Sequence, residues 1–367
     1  MSRAHAPVNR WLLVILLTLT FFGFIIFLSA SVGLVARDSG ANFQSTVLTQ
    51  TIFGLIPGLI LMFILSRVPY KYLRSLAFYL LIASMVASLL VFIPYLGFSH
   101  GGATRWISIG SHTFQPSEFL KIGVLIYLAA WFATVKQRAS TIRWGLLPFV
   151  IIMGLAGAIL FKQPDIDTFL VIGAGATAMY IAAGARLRHL LLLGLLTAGL
   201  LTALAFAFPY VRDRINTFAN PTEDSLGSGY QIQQSLIAVG SGGFLGRGFG
   251  KSIQKFNYLP EPIGDSVYAV ASEEFGFVGS VLILLLFFLL AHQGLRVASH
   301  SPDLFGRYLA IGIIVMFLSQ ALVNIGAMIG IFPLSGITLP FVSHGGTALL
   351  FTLGEAGILL SISRRAS

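Results

Sequence analysis

With 367 residues, 56% of them hydrophobic and only 10% charged, the chain lacks the polar surface of a soluble globule. The absence of cysteine excludes disulfides, thiolate metal sites and cysteine nucleophiles. A formal net charge of +10 would suggest nucleic acid in a soluble protein, but here its distribution marks membrane topology, and no nucleic-acid partner is expected.

Apolar runs long enough to cross a bilayer recur at 11–33, 47–66, 73–96, 117–134, 144–161, 166–184, 188–209, 266–291, 305–331 and 341–362. The fifth and sixth nearly fuse through Lys162–Asp165, which leaves nine spans as the alternative to ten. The expected fold is an all-α polytopic bundle of about ten transmembrane helices. It forms one membrane domain over 1–367, with a long extracytoplasmic loop, 210–264, between spans seven and eight. Ten spans put both termini on one side. That side collects Arg3, Arg10, Arg67, Lys71, Arg74, Lys136, Arg138, Arg143, Arg186, Arg188, Arg296, Arg307, Arg364 and Arg365 against the single acid Asp303, so it is the cytoplasmic one. The first run exceeds a signal-peptide core and is expected to stay uncleaved.

Along the outer face, Arg105 in GATRWI (102–107) either helps bind a phosphate or anchors at the interface beside Trp106. In QPSEFLK (115–121), Pro116 suits a first helical turn, and Glu118 and Lys121 at i, i+3 can pair. That pair is a local ion pair, or it turns Lys121 toward a cavity for an anionic group. In KQPDIDT (162–168), Asp165 and Asp167 either cap the sixth span or face one divalent cation that a substrate phosphate would complete.

The long loop starts with turn formers at 220–228. A short amphipathic helix at 230–239 follows, with Ile232, Leu236 and Val239 on one side. The glycines of 240–250 lack the βαβ context of a dinucleotide site and suit close approach of backbone to substrate or membrane. Phe256, Tyr258 and Leu259 are apolar enough to dip into the headgroup zone.

Tyr258–Glu274 then holds four of the chain's thirteen acids. Asp265, at the outer start of span eight behind Pro260 and Pro262, is an N-cap or a general base facing the bilayer surface. At a helical rise Glu273 and Glu274 lie roughly 12–13 Å below it, where pairing inside the bundle is the expected role. Glu355 sits mid-span, and His344 lies in an irregular outer turn at 336–347; both read as structural. The seven histidines show no metal-ligand spacing. The residues alone leave two classes open: an enzyme acting on a lipid-linked substrate, or a transporter of one.

Seven segments in order resemble the motifs of the SEDS family (shape, elongation, division and sporulation), which includes FtsW, RodA and SpoVE. They are GATRWI, QPSEFLK, KQPDIDT, GSGYQIQQS (227–235), VGSGGFLGRGFG (239–250), YLPEPIGDSVYAVASEEFG (258–276) and LPFVSHGGTALL (339–350). The resemblance implies a peptidoglycan glycosyltransferase that polymerises lipid II into glycan strands on the outer face of the bacterial cytoplasmic membrane, at the division septum or during elongation. It implies Asp265 as the general base and undecaprenyl pyrophosphate as the leaving group, stabilised by Arg105 and by a Lys121 that Glu118 orients. Motif position also puts Gln163, Asp165, Gln231, Glu261 and Ser343 at the substrate. No cofactor is certain, though magnesium or manganese is possible. The implied partners are a class B penicillin-binding transpeptidase and other divisome or elongasome membrane proteins. A lipid II flippase is the alternative. Asp167 stands where the family has glycine, Gly264 and Ser266 flank Asp265 in place of threonine and phenylalanine, and Thr347 replaces serine. The ending LLSISRR (359–365) is closer to the division-type LLNISR.

Overall fold

The structure, a computed structural model, describes residues 8–36, 41–100, 103–110, 112–221 and 227–365. Gly102 of the GATRWI motif and residues 222–226 of the turn-rich segment lie outside them. Helix α1 (Arg10–Ser31) starts where Asn9 Oδ1 accepts the Leu12 amide at 3.0 Å. Helix α2 (Ala41–Thr49) passes through a π-helical turn, Gln50–Leu55, into α3 (Ile56–Arg67), and α4 (Lys71–Leu89) returns outward. After an intervening sheet come α5 (Pro116–Val135), α6 (Leu147–Lys162), α7 (Ile166–Ala182), α8 (Leu187–Ala207) and α9 (Pro209–Ala219). The last four helices are α10 (Ser228–Ser241), α11 (Val267–Ser299), α12 (Leu304–Met328) and α13 (Gly346–Ser363). Among the described residues nine helical segments are long and apolar enough to cross a membrane; the shorter apolar α7, 17 residues, brings the number to ten. The core is built around α5, α7, α12 and α13, and α8 faces outward, burying only His189 and Leu204.

Among the described residues the mostly helical chain carries one small sheet, in the Gly97–Pro116 connection. Strands β1 (Gly97–His100), β2 (Ala103–Ile109) and β3 (His112–Phe114) pair antiparallel in that order. Side chains alternate along a strand. Ala103, Arg105 and Ile107 therefore share one face, and Ala103 and Ile107 are buried. Arg105 is thus carried inward with the apolar face instead of anchoring at the interface.

Helix α11 is broken at Gly276 (φ 64°, ψ −160°). From Phe277 to Ser299 it exposes Phe277, Val281, Leu285 and Phe288, and at 1.5 Å per residue this stretch is about 34 Å long, a full membrane span. The segment Val267–Glu274 before the break is buried throughout. The glycine-rich loop takes up the backbone groups freed at the break. Gly243 and Phe244 carbonyls accept from Phe277 (2.9 Å) and Val278 (3.2 Å), and Arg247 and Gly248 amides donate to Glu273 and Glu274 carbonyls, both at 3.0 Å. A Cβ on Gly242 or Gly246 would run into the backbone of Ser272 or Glu274. The close approach expected of these glycines is therefore to α11, and not to substrate or membrane.

The break corrects the expected depth of Glu273 and Glu274. Ser29, near the outer end of α1, donates to both Glu274 carboxylate oxygens (2.7 and 2.6 Å), so the pair lies at the outer rim. Lys255 Nζ, fully buried, reaches Glu274 at 2.7 Å, and Glu273 accepts from Ser252 Oγ and from the Ile253 and Gln254 amides. Helix α10 buries Ile232, Ser235 and Ala238, while Leu236, expected on the same face as Ile232, points outward.

Candidate functional site

Asp265 lies in the turn that leads from Pro262 into α11. Three elements hold this turn. Asn324 of α12 donates to the Asp265 carbonyl and to the Ile337 carbonyl, both at 2.8 Å. Ser343 Oγ donates to the Gly264 carbonyl (2.8 Å) while accepting from the Leu339 amide (2.8 Å). Gln231 of α10 donates to Ser266 Oγ at 3.0 Å. Gln231 and Ser343, expected at the substrate, are thus engaged by the residues on either side of Asp265, and Ser266 in place of the family's aromatic supplies one of those contacts. Asn324 stands about 30 Å from Leu304 along α12, which puts Asp265 at the boundary of the hydrocarbon opposite to Leu304.

Arg105 approaches from the sheet. Its guanidinium donates to the Pro164 carbonyl, and through Nε to the Gln163 carbonyl at 3.4 Å, with Asp165 Oδ1 at 3.8 Å. Gln163 is itself buried and donates to the Ser88 carbonyl at 2.7 Å. One buried oxygen of Asp165, Oδ2, has no hydrogen-bond partner. Arg105 and Asp265 meet at Gly336: a Cβ there would stand 3.5 Å from Arg105 Nη1 and 3.8 Å from Asp265 Oδ2.

Behind them, Lys121 is buried, with Nζ 2.9 Å from Glu118 Oε2 and 3.1 Å from Gln320 Oε1. Gln320 is held by Thr338 through its carbonyl (2.9 Å) and hydroxyl (3.3 Å). A polar cavity of about 20 Å³, room for one water, lies between Glu118, Lys121, Gln320 and Gly336. Lys121 therefore pairs with Glu118, as one of the two sequence readings had it, and the cavity beside it is the size of a water, smaller than the anionic group of the other reading.

Asp265 is pushed up to about 7. Burial is the main cause and the Glu261 and Asp167 carboxylates add to it, while Arg105 and Arg214 pull the other way. A carboxyl group that titrates near neutrality suits general base catalysis. Exposed Glu261, with φ +46°, closes the turn by accepting the Gly264 and Ser266 amides on its carbonyl at 3.1 and 3.2 Å. His344 packs on Phe27 with ring centroids 5.6 Å apart, and burial lowers it to about 4, so it is a neutral structural ring.

The two aspartates of KQPDIDT face different partners. Asp165 turns to Arg105, and Asp167 makes a 2.8 Å ion pair with Arg214 of α9. Among the described residues no three His, Asp or Glu side chains converge to hold a metal ion.

Below the site, α6, α7 and α8 enclose a lateral apolar cavity of about 510 Å³, lined by Phe149, Met153, Phe169, Leu170, Ala174, Leu193, Leu196 and Leu200. Its α7 wall starts at Phe169, two residues after Asp167.

Gln320, Asn324, Gly336 and Arg214 were not singled out by sequence. Gln320 and Asn324 could have been: two amides four residues apart inside an apolar span fall on one helix face and call for polar partners. Gly336 and Arg214 gave no such signal.

The family profile described as "Cell cycle protein", which groups FtsW, RodA and SpoVE, matches residues 9–367. Stage V sporulation protein E of Bacillus subtilis is 42% identical over 315 residues, covering 86% of each chain. The probable peptidoglycan glycosyltransferase FtsW of Trichlorobacter lovleyi is 38% identical, over 96% of this chain and 92% of that one. Among solved structures, a chain from work on "structural coordination of polymerization and crosslinking by a peptidoglycan synthase complex" superposes with a TM-score of 0.80 at 29% identity, covering 98% of both. The rod shape determining protein RodA of Thermus thermophilus superposes with a TM-score of 0.71 at 28% identity, covering 98% of this chain and 97% of that one.

Proposed function

The chain belongs to the FtsW/RodA/SpoVE family of multi-pass membrane proteins, and from that premise we propose that it is a peptidoglycan glycosyltransferase with Asp265 as its general base. The observation that carries this reading is the meeting of Arg105 and Asp265 at Gly336, on the outer boundary of the bundle and beside an apolar lateral cavity. A base, a cation and a place for a lipid tail converge at one membrane surface.

In the proposed reaction the Asp265 carboxylate accepts the proton of the 4-hydroxyl of the acceptor's N-acetylglucosamine. The oxygen forms a bond to C1 of the donor's N-acetylmuramic acid as the bond from C1 to the pyrophosphate oxygen breaks. Undecaprenyl pyrophosphate departs with the electron pair, and the α-linked donor becomes a β-linked product in one inversion. Arg105, with its planar fork of donors, stabilises the departing charge. Lys121 contributes from behind the small polar cavity in the orientation that Glu118 and Gln320 impose. The cavity between α6, α7 and α8 takes the polyprenyl tail of lipid II. A magnesium or manganese ion, if used, would be held by substrate pyrophosphate together with Asp165, whose unpartnered oxygen is the free ligand.

The same reading places the protein in the bacterial cytoplasmic membrane with both termini inside, working with a class B penicillin-binding transpeptidase at the septum or along the cell wall. Transport of lipid II is the weaker alternative. Of Glu273, Glu274 and Glu355, the acids that a transport path would use, the first two are taken up by Lys255, Ser29 and loop amides.

The test is lipid II polymerisation by the full chain with its partner transpeptidase, comparing wild type with Asp265→Asn. Glycan strands from wild type alone support the assignment. Equal polymerisation by both removes Asp265 as the base. Failure of both, with lipid II scrambled across liposomes, would favour transport.

A further inference from the structure

Asp167 is the position where this chain adds a charge that the family motif lacks, and its carboxylate is spent on Arg214. The two meet at 2.8 Å, with side chains 15% and 30% exposed, so the pair is accessible and not sealed in the core. Its position in the fold is what gives it meaning. Asp167 begins α7, directly above the residues that wall the lateral cavity, and Arg214 belongs to α9, which follows α8 after Phe208. Helix α8 forms the far wall of that cavity while burying almost nothing of its own. The ion pair therefore ties α9, the helix that continues from α8, to the first turn of α7. Asp165, two residues before Asp167, faces Arg105, and Arg105 meets Asp265 at Gly336, so the two guanidinium groups flank one turn beside the reacting carboxylate.

We propose that Arg214 is a ligand for the pyrophosphate of a polyprenyl substrate and that Asp167 is its resident competitor, a latch the incoming phosphates must displace. This rests on the glycosyltransferase reading of the site. The chemistry favours exchange: a guanidinium binds a pyrophosphate through paired, charge-assisted hydrogen bonds, whereas Asp167 offers it a single contact, from Nη1 to Oδ2. Displacement would also free α8 and α9 to adjust around the tail. A chain with glycine at 167 has no such competitor, so this chain should bind its lipid substrate less tightly than its own Asp167→Gly variant.

The experiment measures initial rates of polymerisation against lipid II concentration for wild type, Asp167→Gly, Arg214→Gln and the double variant, all at about pH 8.5 so that Asp265 is ionised in each. In parallel, undecaprenyl pyrophosphate binding is measured in nanodiscs with and without phosphatidylglycerol. Asp167→Gly is expected to lower KM several-fold and Arg214→Gln to raise it about tenfold or more, the size of a lost charge-assisted contact. The double variant should follow Arg214→Gln. A pair that merely staples α9 in place would make both single variants worse in the same direction, with matching losses in melting temperature, and that result overturns the latch. Equal weakening by Arg214→Gln of phosphatidylglycerol binding would assign Arg214 to the headgroup region and also overturn it. If wild type makes no strands, the glycosyltransferase reading fails, and opposite shifts in undecaprenyl pyrophosphate affinity still decide whether the latch exists.

Discussion

Lys255 and Glu274 form an ion pair of 2.7 Å with side chains that are 0% and 1% exposed, joining the outer loop to α11 beside the end of α1. Removing one member of such a pair strands the other charge in a poorly solvated place. Lys255→Met is expected to cost about 3–5 kcal/mol of stability. Adding Glu274→Gln should recover most of that, since a neutral amide oxygen still accepts from Ser29. Thermal and denaturant unfolding in detergent would read both. A loss under about 1 kcal/mol from Lys255→Met would mean that the pair contributes no more than an exposed one.

The raised value of Asp265 fixes the pH dependence of the reaction. A general base must be unprotonated, so kcat/KM should fall about tenfold per pH unit below about 7 and level off above it. Removing Asp167, whose charge raises Asp265, should move this limb to lower pH. Stability has the opposite sign. Folded Asp265 keeps its proton up to about 7, whereas the unfolded chain releases it near the ordinary aspartate value, so this group's contribution declines as pH rises through that interval. Asp265→Asn should abolish activity at every pH and remove that slope. A pH–rate profile that is flat between about 5 and 8 would exclude Asp265 as the titrating base.

Arg105 is distinguished from a generic cation by its geometry. Three fixed partners, the Gln163 and Pro164 carbonyls and Asp165, orient its fork. Lysine cannot satisfy them together, so Arg105→Lys should fall nearly as far in kcat as Arg105→Gln, about 10²-fold. Single-turnover rates at saturating lipid II would separate this from a loss of binding. Full rescue by lysine would show that only the charge matters.

Much of the fold was legible in hydropathy because a bilayer demands long apolar helices, and the basic inner loops are a composition signal. Asp265 was legible for a related reason, since a carboxylate at an apolar boundary is costly. What escaped depended on backbone geometry. Gly276 in ASEEFGFVGS looks like an ordinary helical glycine, and only its contact with Gly246 shows the break that lifts Glu273 and Glu274 to the rim. The sheet at 97–114 was too short and too interrupted by glycine to be read from alternation. Arg214 lay in a segment with no motif to mark it, and its pairing with Asp167 escaped because spacing along a chain says nothing of which side of a turn a carboxylate will face.

Gly336 offers the sharpest separation of folding from chemistry. Its φ is not in the left-handed region, and a methyl group there would find Arg105 Nη1 at 3.5 Å and Asp265 Oδ2 at 3.8 Å, ordinary contact distances. Alanine should therefore fold without strain, and its melting temperature in detergent should match wild type within a degree or two. The methyl would nevertheless occupy the gap between the proposed base and the proposed pyrophosphate ligand. A reacting oxygen must approach the base to about 2.6–3.2 Å, and a displacement of about 1 Å can cost on the order of 10²-fold in rate. Gly336→Ala should lower kcat by that order while leaving the amount of folded protein unchanged, and Gly336→Val should go further. Polymerisation by Gly336→Ala at the wild-type rate would mean that the reacting groups meet elsewhere, and would move the search for the base away from the face that Arg105 shares with Asp265.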